Sequence, residues 1–94
     1  MKPLVLSLAL TLLAAPAGAA CYADYKAKRD GPLRLHYGVI QLSDAACGDR
    51  NAAQNEAKTR LKSAGWKLLT LVSTFDQNGL DARRSDAGEF FLRY

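Results

Sequence analysis

One histidine and nine carboxylates are the residues of this 94-residue chain that could carry acid–base chemistry. His36 alternates with Leu35 and Tyr37 in a strand-like segment, so we expect it to face solvent. A metal site needs several more ligands, and a nucleophile needs a serine or free thiol beside the histidine. The pattern supplies neither, and we predict no metal and no cofactor.

The aspartates stand where local structure alone explains them. Turns, helix caps and strand edges favour aspartate because its side chain bonds the neighbouring backbone. The residues at such positions are Asp24, Asp30, Asp44, Asp49, Asp76, Asp81 and Asp86. No two have a spacing that places them in one pocket, and we therefore predict that the chain is not an enzyme.

Arginines are the better candidates for a binding role. Arg83 and Arg84 are adjacent in a polar segment, and neighbouring guanidinium groups can bind a phosphate or carboxylate through paired hydrogen bonds. The alternative is a solvated loop that keeps a sheet edge soluble. A groove shared with Arg34 would indicate glycan binding. An exposed Phe91 would mark a partner surface and leaves a homodimer open.

Residues 1–20 have the three parts of a cleavable export signal. Lys2 is followed by an apolar run from Leu4 to Ala15 and by small residues from Ala17 to Ala20. The run is too short for the roughly 20 residues of a spanning helix. We expect cleavage after Ala19 or Ala20, which leaves residues 21–94 as one periplasmic or secreted bacterial domain that does not span the membrane.

The two cysteines allow two interpretations. Cys21 and Cys47 are the only cysteines, and export to an oxidising compartment favours a disulfide between them. That bridge closes a loop of about 27 residues, worth roughly 3.5 kcal/mol in the chain-entropy model. The alternative is a lipoprotein, since Cys21 follows the cleavage region, although the apolar first position of the usual lipidation pattern is missing.

The net charge of the mature domain is modest. Removing the leader removes Lys2, so 12 basic and 9 acidic residues remain. Nucleic-acid binders carry a far more clustered positive charge, and we predict no nucleic-acid partner. An envelope protein, a cell-wall polymer or lipid headgroups stay open as partners.

Hydrophobic patterning predicts the elements of the first half of the domain. Residues 22–28 alternate loosely and suit an edge strand. Residues 33–42 form a second strand, paired with the first, with a bulge near Gly38 because the apolar phase slips there. A helix of about four turns starts after Asp49 as N-cap and ends at Gly65.

The second half continues with a strand over 66–75, which we expect to be central because both of its faces are apolar. The pattern predicts a loop or irregular extension over residues 80–88. It predicts a terminal strand over residues 89–94. The fold class is therefore α+β, with one amphipathic helix on a small, mainly antiparallel sheet in the order strand, strand, helix, strand, strand.

Two resemblances come from the stretch 37–94. The alanine-rich helix ending in Ala64-Gly65-Trp66, followed by Leu68-Leu69 and the closing Phe90-Phe91-Leu92, resembles small secreted bacterial α+β domains that have no assigned activity. The segment GVIQLSD at 38–44, with LKSAGW at 61–66, is similar to the start of sporulation-related repeat domains. The second resemblance implies binding to peptidoglycan.

Three functions stay open at this stage. The first expectation is a non-enzymatic envelope domain that acts as an interaction or structural module. The second is a peptidoglycan or glycan-binding module. The third is a small enzyme inhibitor.

Overall fold

The computed structural model of the protein describes residues 20–94. The strands are β1 (Cys21–Arg29), β2 (Arg34–Leu42) and β3 (Lys67–Asp76), and the helices are α1 (Arg50–Ser63) and α2 (Asp81–Ala87). Short 3-10 turns occupy Asp44–Ala46, Gln77–Gly79 and Gly88–Phe90. The predicted α+β class is confirmed. The predicted signal peptide, Ala20 apart, lies outside the described residues.

The sheet is antiparallel with the strand order β2-β1-β3. The predicted β1–β2 hairpin is present, but β1 is the central strand and not an edge. β3 is an edge strand and not the central one. The alternation of polar residues in β1 suggested exposure, whereas Asp24 is 4% exposed and satisfies its buried carboxylate through side-chain partners.

The strand irregularities lie in β3. β1 pairs with β2 without a break through Gly38, so the predicted bulge at Gly38 is wrong. The β1–β3 register shifts twice, and the β3 residues left without a partner there are Val72 and Leu69. Both side chains are exposed. These bulges explain why apolar residues occur at both parities of β3.

Helix α1 covers one face of the sheet as the pattern predicts. Asp49 is the N-cap, and its side chain accepts hydrogen bonds from the amides of Asn51 and Ala52. The buried stripe of the helix consists of Ala53, Ala57 and Leu61. Because two of its three members are alanines, the helix lies close to the sheet and the strands supply the larger apolar side chains.

The opposite face is covered by α2, in a segment that the sequence pattern suggested was a loop. Ala87 of this helix packs on Tyr22 and Val39 of the sheet in a second, smaller core. The helix has no side-chain N-cap bond and only seven residues. Its formation therefore depends on tertiary contacts rather than on local signals.

The C-terminal segment crosses the outer edge of β2. Residues 89–94 do not form the predicted terminal strand, because Gly88–Phe90 is a 3-10 turn and only an isolated bridge joins Val39 to Phe91. The amide of Leu92 donates to the carbonyl of Val39 at 2.8 Å. As a result Phe90 packs with the α1-side core and Phe91 with the α2-side core.

A disulfide joins Cys21 to Cys47, with the two Cα atoms 5.9 Å apart. The predicted pairing is confirmed, and it uses the Sγ atom that lipidation of Cys21 would modify. The bridge ties the start of β1 to the turn that precedes α1. Within residues 20–94, no helix has the length and apolar character needed to cross a membrane.

Candidate functional site

His36 lies in the aromatic core and not on the solvent side of its strand. Its ring stacks on Phe90 at 3.7 Å between centroids and meets Trp66 edge-on at 4.2 Å. Its Nε2 atom is 2.8 Å from the hydroxyl of Tyr25. The residue is only 9% exposed. The expectation of exposure is wrong because β2 has no bulge, so His36 lies on the same side of the sheet as Ile40 and Leu42, which belong to the core beneath α1.

The surroundings of His36 favour its neutral form. Burial lowers the pKa of the imidazole, and the positive charge of Arg29 lowers this pKa further, against a smaller opposing influence of Glu89. Its Nδ1 atom is buried and has no hydrogen-bond partner among residues 20–94. The ring therefore acts as one more core aromatic at the end of the sheet where β1 meets β2.

A cavity of about 380 Å³ opens beside this aromatic cluster, and we name it the basic cleft. It is formed where β1 ends and β2 begins, at the C-terminal end of α1, and along the C-terminal segment. Three arginines and three aromatic rings make up most of its lining. These residues are Arg29, Arg34, Arg93, Trp66, Phe90 and Tyr94, with Leu35 and Glu89 completing the wall.

Two of these arginines carry no counter-ion from the described chain. Arg29 and Arg34 are direct partners in the β1–β2 register, so their Cα atoms face each other across the hairpin. Neither guanidinium forms an ion pair or a side-chain hydrogen bond with another residue of the 20–94 region. Arg93 lies 3.5 Å from Glu89, but both side chains are largely exposed, so this pair is weak.

The aromatic residues hold the cleft in shape. The guanidinium of Arg29 lies over the Trp66 ring at 4.3 Å from its centroid. This stacking orients the planar group while its N–H edge stays available as a donor. The indole Nε1 of Trp66 donates to the Tyr94 hydroxyl at 3.1 Å, which links the helix end to the C-terminal segment.

Charge is segregated along the strand axis. The register places the Arg29–Arg34 hairpin and the start of β3 at one end, which we name the hairpin end. Its basic residues are Lys26, Lys28, Arg29, Arg34, Lys58, Lys62, Lys67 and Arg93, against the acidic Asp30 and Glu89. The rest of the described chain holds four basic and seven acidic residues. One end of the domain is therefore strongly basic, although the net charge of the whole domain is modest.

The binding residues suggested by the sequence occupy two separate places. Arg34 lines the basic cleft. Arg83 instead donates to Asp24, and Arg84 lies over the Phe91 ring at 4.4 Å on the α2 side. Asp24 and Arg29 are five residues apart on β1, or about 17 Å along a strand. The structure therefore brings Arg84 and Phe91 together and separates both from Arg34.

Sequence reasoning missed Arg29, Trp66 and Arg93 as members of the same site. Arg29 could have been found from the hairpin prediction, because a turn at 30–33 between paired strands places Arg29 opposite Arg34. No local signal brings Arg93 to this end. Its position depends on the crossing of the β2 edge by the C-terminal segment.

Within the part of the chain that the structure describes, no cluster of three or more histidine, cysteine or carboxylate side chains could hold a metal ion. The arrangement instead offers planar, positively charged donors beside aromatic rings. Such a set can bind a phosphate or carboxylate group. No protein-family model, no curated protein and no solved structure matches the chain.

Proposed function

We propose that the protein is an exported, non-enzymatic binding module and that its basic cleft binds a phosphate or carboxylate group. The observation that carries this proposal is the pairing of Arg29 with Arg34 at the cleft, without a counter-ion in residues 20–94. Two guanidinium groups on adjacent strands repel each other, so an anion between them relieves this repulsion as well as accepting hydrogen bonds.

One arginine of the cleft is already oriented for binding. Arg29 is held over Trp66, and Trp66 is itself bonded to Tyr94, so Arg29 loses little side-chain freedom when a ligand arrives. A small anion such as pyrophosphate is expected to bind in the range of about 1 mM or tighter, or at least about 4 kcal/mol.

A binding role suits the chemistry of the described residues better than catalysis. The single histidine is buried and held neutral, with Tyr25 as its hydrogen-bond partner. The buried carboxylate, Asp24, is fully engaged with Tyr37, Ser73 and Arg83. Acid–base catalysis requires a group that can exchange a proton with a bound substrate, and both of these groups are instead engaged with other side chains.

The disulfide supports the export part of the proposal. Cys21 and Cys47 pair in the structure, and such bridges persist chiefly in oxidising compartments. The leader pattern at residues 1–20 points to the same location. We therefore propose that the protein is exported to the bacterial periplasm or out of the cell.

Two envelope components carry the proposed chemistry. Peptidoglycan presents carboxylates on its stem peptides, and lipid headgroups present phosphates. Trp66 is the only tryptophan of the chain and lines the cleft, so its fluorescence reports on occupancy. The test is a fluorescence titration of the protein, exported and purified with its disulfide intact, using pyrophosphate in one series and soluble peptidoglycan fragments in the other.

The decisive variant is Arg29→Gln with Arg34→Gln, and the matched control is Arg84→Gln on the α2 side, where the side chain is 61% exposed. We expect saturable binding of at least one ligand, an affinity lowered about tenfold or more by the double substitution, and no change in the control. The proposal is wrong if neither ligand binds or if the double variant binds as the wild type does.

A further inference from the structure

Exposed leucines surround the hairpin end. Leu33 and Leu35 are 62% and 65% exposed, and Leu69 is 49% exposed. We name these three residues the leucine rim. Leu33 belongs to the turn that joins β1 to β2, and Leu35 is the second residue of β2. Exposed leucines usually mark an interaction surface, and their position at the most basic end of the domain indicates a partner that is both apolar and anionic.

The leucine rim is continuous with the basic cleft. Leu35 lines the cleft and also lines a second cavity, of about 310 Å³, together with Leu69, Lys26 and Tyr37. This second cavity lies on the half of the sheet face that α2 leaves open. Leu35 and Leu69 are thus connected to the unpaired arginines through adjoining cavities, and Leu33, in the turn, immediately precedes Arg34.

We propose that the hairpin end docks on an anionic lipid bilayer, with the leucine rim entering the interface and the basic cleft taking a headgroup phosphate. The inference rests on the proposed anion binding and names the source of the anion. Charge complementarity supports the bilayer as the partner, because the hairpin end contains eight basic residues and only two acidic ones. Basic residues close to an anionic leaflet each add to the attraction.

The distribution of charge also sets an orientation. Basic residues of the hairpin end come from every element that reaches it, including Lys58 and Lys62 of α1 and Lys67 of β3. The rest of the described chain, with four basic and seven acidic residues, is net negative and is therefore repelled by the same surface. Only one end of the domain can therefore approach the bilayer, and it is the end that presents the leucines.

A bilayer fits these observations better than the cell wall does. Peptidoglycan could satisfy the arginines, but it offers no apolar phase for three exposed leucines. A lipid interface provides both an anionic layer and an apolar layer below it. The leucines at the turn are the residues that would reach the apolar layer first.

The test is co-sedimentation of the disulfide-bonded protein with vesicles of phosphatidylcholine alone, with phosphatidylcholine mixed with phosphatidylglycerol, and with isolated peptidoglycan sacculi. The variant is Leu33→Ser with Leu69→Ser, because neither of these leucines lines the basic cleft. Its matched control is Leu92→Ser, a leucine that is 40% exposed but lies beside Val39, midway along β2. Equal denaturation midpoints verify that both variants are folded.

We expect pelleting with phosphatidylglycerol vesicles and not with phosphatidylcholine alone. The leucine double variant should lose about tenfold or more in vesicle affinity, while the control pellets as the wild type does. Pelleting with sacculi alone would overturn the bilayer assignment. Equal vesicle binding by the leucine variant and the wild type would also overturn it, because charge alone would then explain the attraction.

Pyrophosphate titration separates the two proposals. A leucine variant that keeps pyrophosphate binding and loses vesicle binding supports the bilayer assignment. A wild type that binds pyrophosphate but no vesicle overturns the bilayer assignment and leaves the anion-binding function standing. A wild type that binds neither overturns both.

Discussion

The Nε atom of Arg83 donates to Oδ2 of Asp24 at 3.0 Å, and this ion pair joins α2 to the central strand of the sheet. The same carboxylate accepts hydrogen bonds from the Tyr37 hydroxyl at 2.7 Å and from Ser73 Oγ at 2.6 Å. Burial acts to raise the pKa of Asp24, but the three donors outweigh it and the pKa is lowered. One buried charge thus connects all three strands and the second helix.

Replacing Asp24 with alanine should lower the free energy of unfolding by about 3–5 kcal/mol, because it leaves Arg83 and two hydroxyl donors without their acceptor. Urea denaturation of the purified protein measures the loss. Arg84→Ala is the control on the same helix, since its pairing with Asp81 is solvent-exposed, and it should change stability by less than about 0.5 kcal/mol. Equal effects of the two substitutions would contradict the assignment.

Acid should remove the stabilisation that Asp24 provides. Its folded-state pKa is lower than the ordinary value of 3.8, so the contribution is present above pH 3.8 and is lost as pH falls through the folded-state pKa. Urea denaturation of the wild type and of Asp24→Asn at a series of pH values isolates the contribution of the Asp24 carboxylate to the free energy of unfolding. The stability difference between the two proteins should shrink below pH 3.8, and a constant difference would refute the expected linkage.

Position 38 needs a glycine because the ring of Tyr25, its direct partner across the hairpin, occupies the space that a Cβ atom would fill. A Cβ atom at position 38 would lie 2.6 Å from Cζ of Tyr25 and 3.0 Å from the carbonyl oxygen of Phe90. Gly38→Ala should therefore lower the free energy of unfolding by about 1–3 kcal/mol through overpacking. Thermal or urea denaturation measures it.

A double-mutant cycle with Tyr25→Leu tests the cause of the Gly38→Ala effect. Removing the ring should make the alanine substitution less costly, by about 1 kcal/mol or more of coupling between the two sites. Gly48→Ala is unsuitable as a control because Gly48 has a positive φ of 87°. Strict additivity of the two substitutions would show that the ring is not the obstacle.

Local signals predicted the elements that are stabilised locally. The α1 helix starts at its Asp49 cap, the β1–β2 hairpin follows its turn, and the two cysteines pair as their number and expected compartment suggest. Each of these depends on residues close in sequence or on a pair with no competitor. For the same reason they could be inferred without knowledge of the sheet order.

The elements that were wrong depend on distant partners. The burial of Asp24 and the formation of α2 both depend on distant contacts, among them the ion pair between Asp24 and Arg83, which are 59 residues apart in sequence. The side assigned to His36 was wrong because Leu33 and Leu35 were taken as core residues, whereas both are exposed. The basic cleft was missed because the C-terminal segment that supplies Arg93 has no pattern predicting its path.

Removing the disulfide should destabilise the domain without changing its fold. The bridge spans 26 residues in sequence, and the chain-entropy model gives a loss of about 3.5 kcal/mol for Cys21→Ala with Cys47→Ala. Denaturation with and without a reductant measures the loss. The variant should be insensitive to the reductant, and an unchanged stability of the reduced wild type would contradict a structural role.

Mild acid should destabilise the protein through His36. Because burial and Arg29 lower the imidazole pKa in the folded state, unfolding takes up a proton between pH 6.5 and the lower folded-state pKa. The free energy of unfolding should therefore be constant above pH 6.5 and decrease below it, with a slope of at most about 1.4 kcal/mol per pH unit for one proton.

The variant His36→Phe checks this assignment, because His36 is the only histidine of the chain and the lowered pKa values of Asp24 and Glu56 act only in stronger acid. Urea denaturation at pH values from 7.5 to 5 gives the slope for each protein. Phenylalanine at position 36 leaves Tyr25 without a partner, so its absolute stability is lower, but its slope in this range should be absent. A slope that persists in the variant would assign the proton uptake to another group and would contradict a neutral, buried His36.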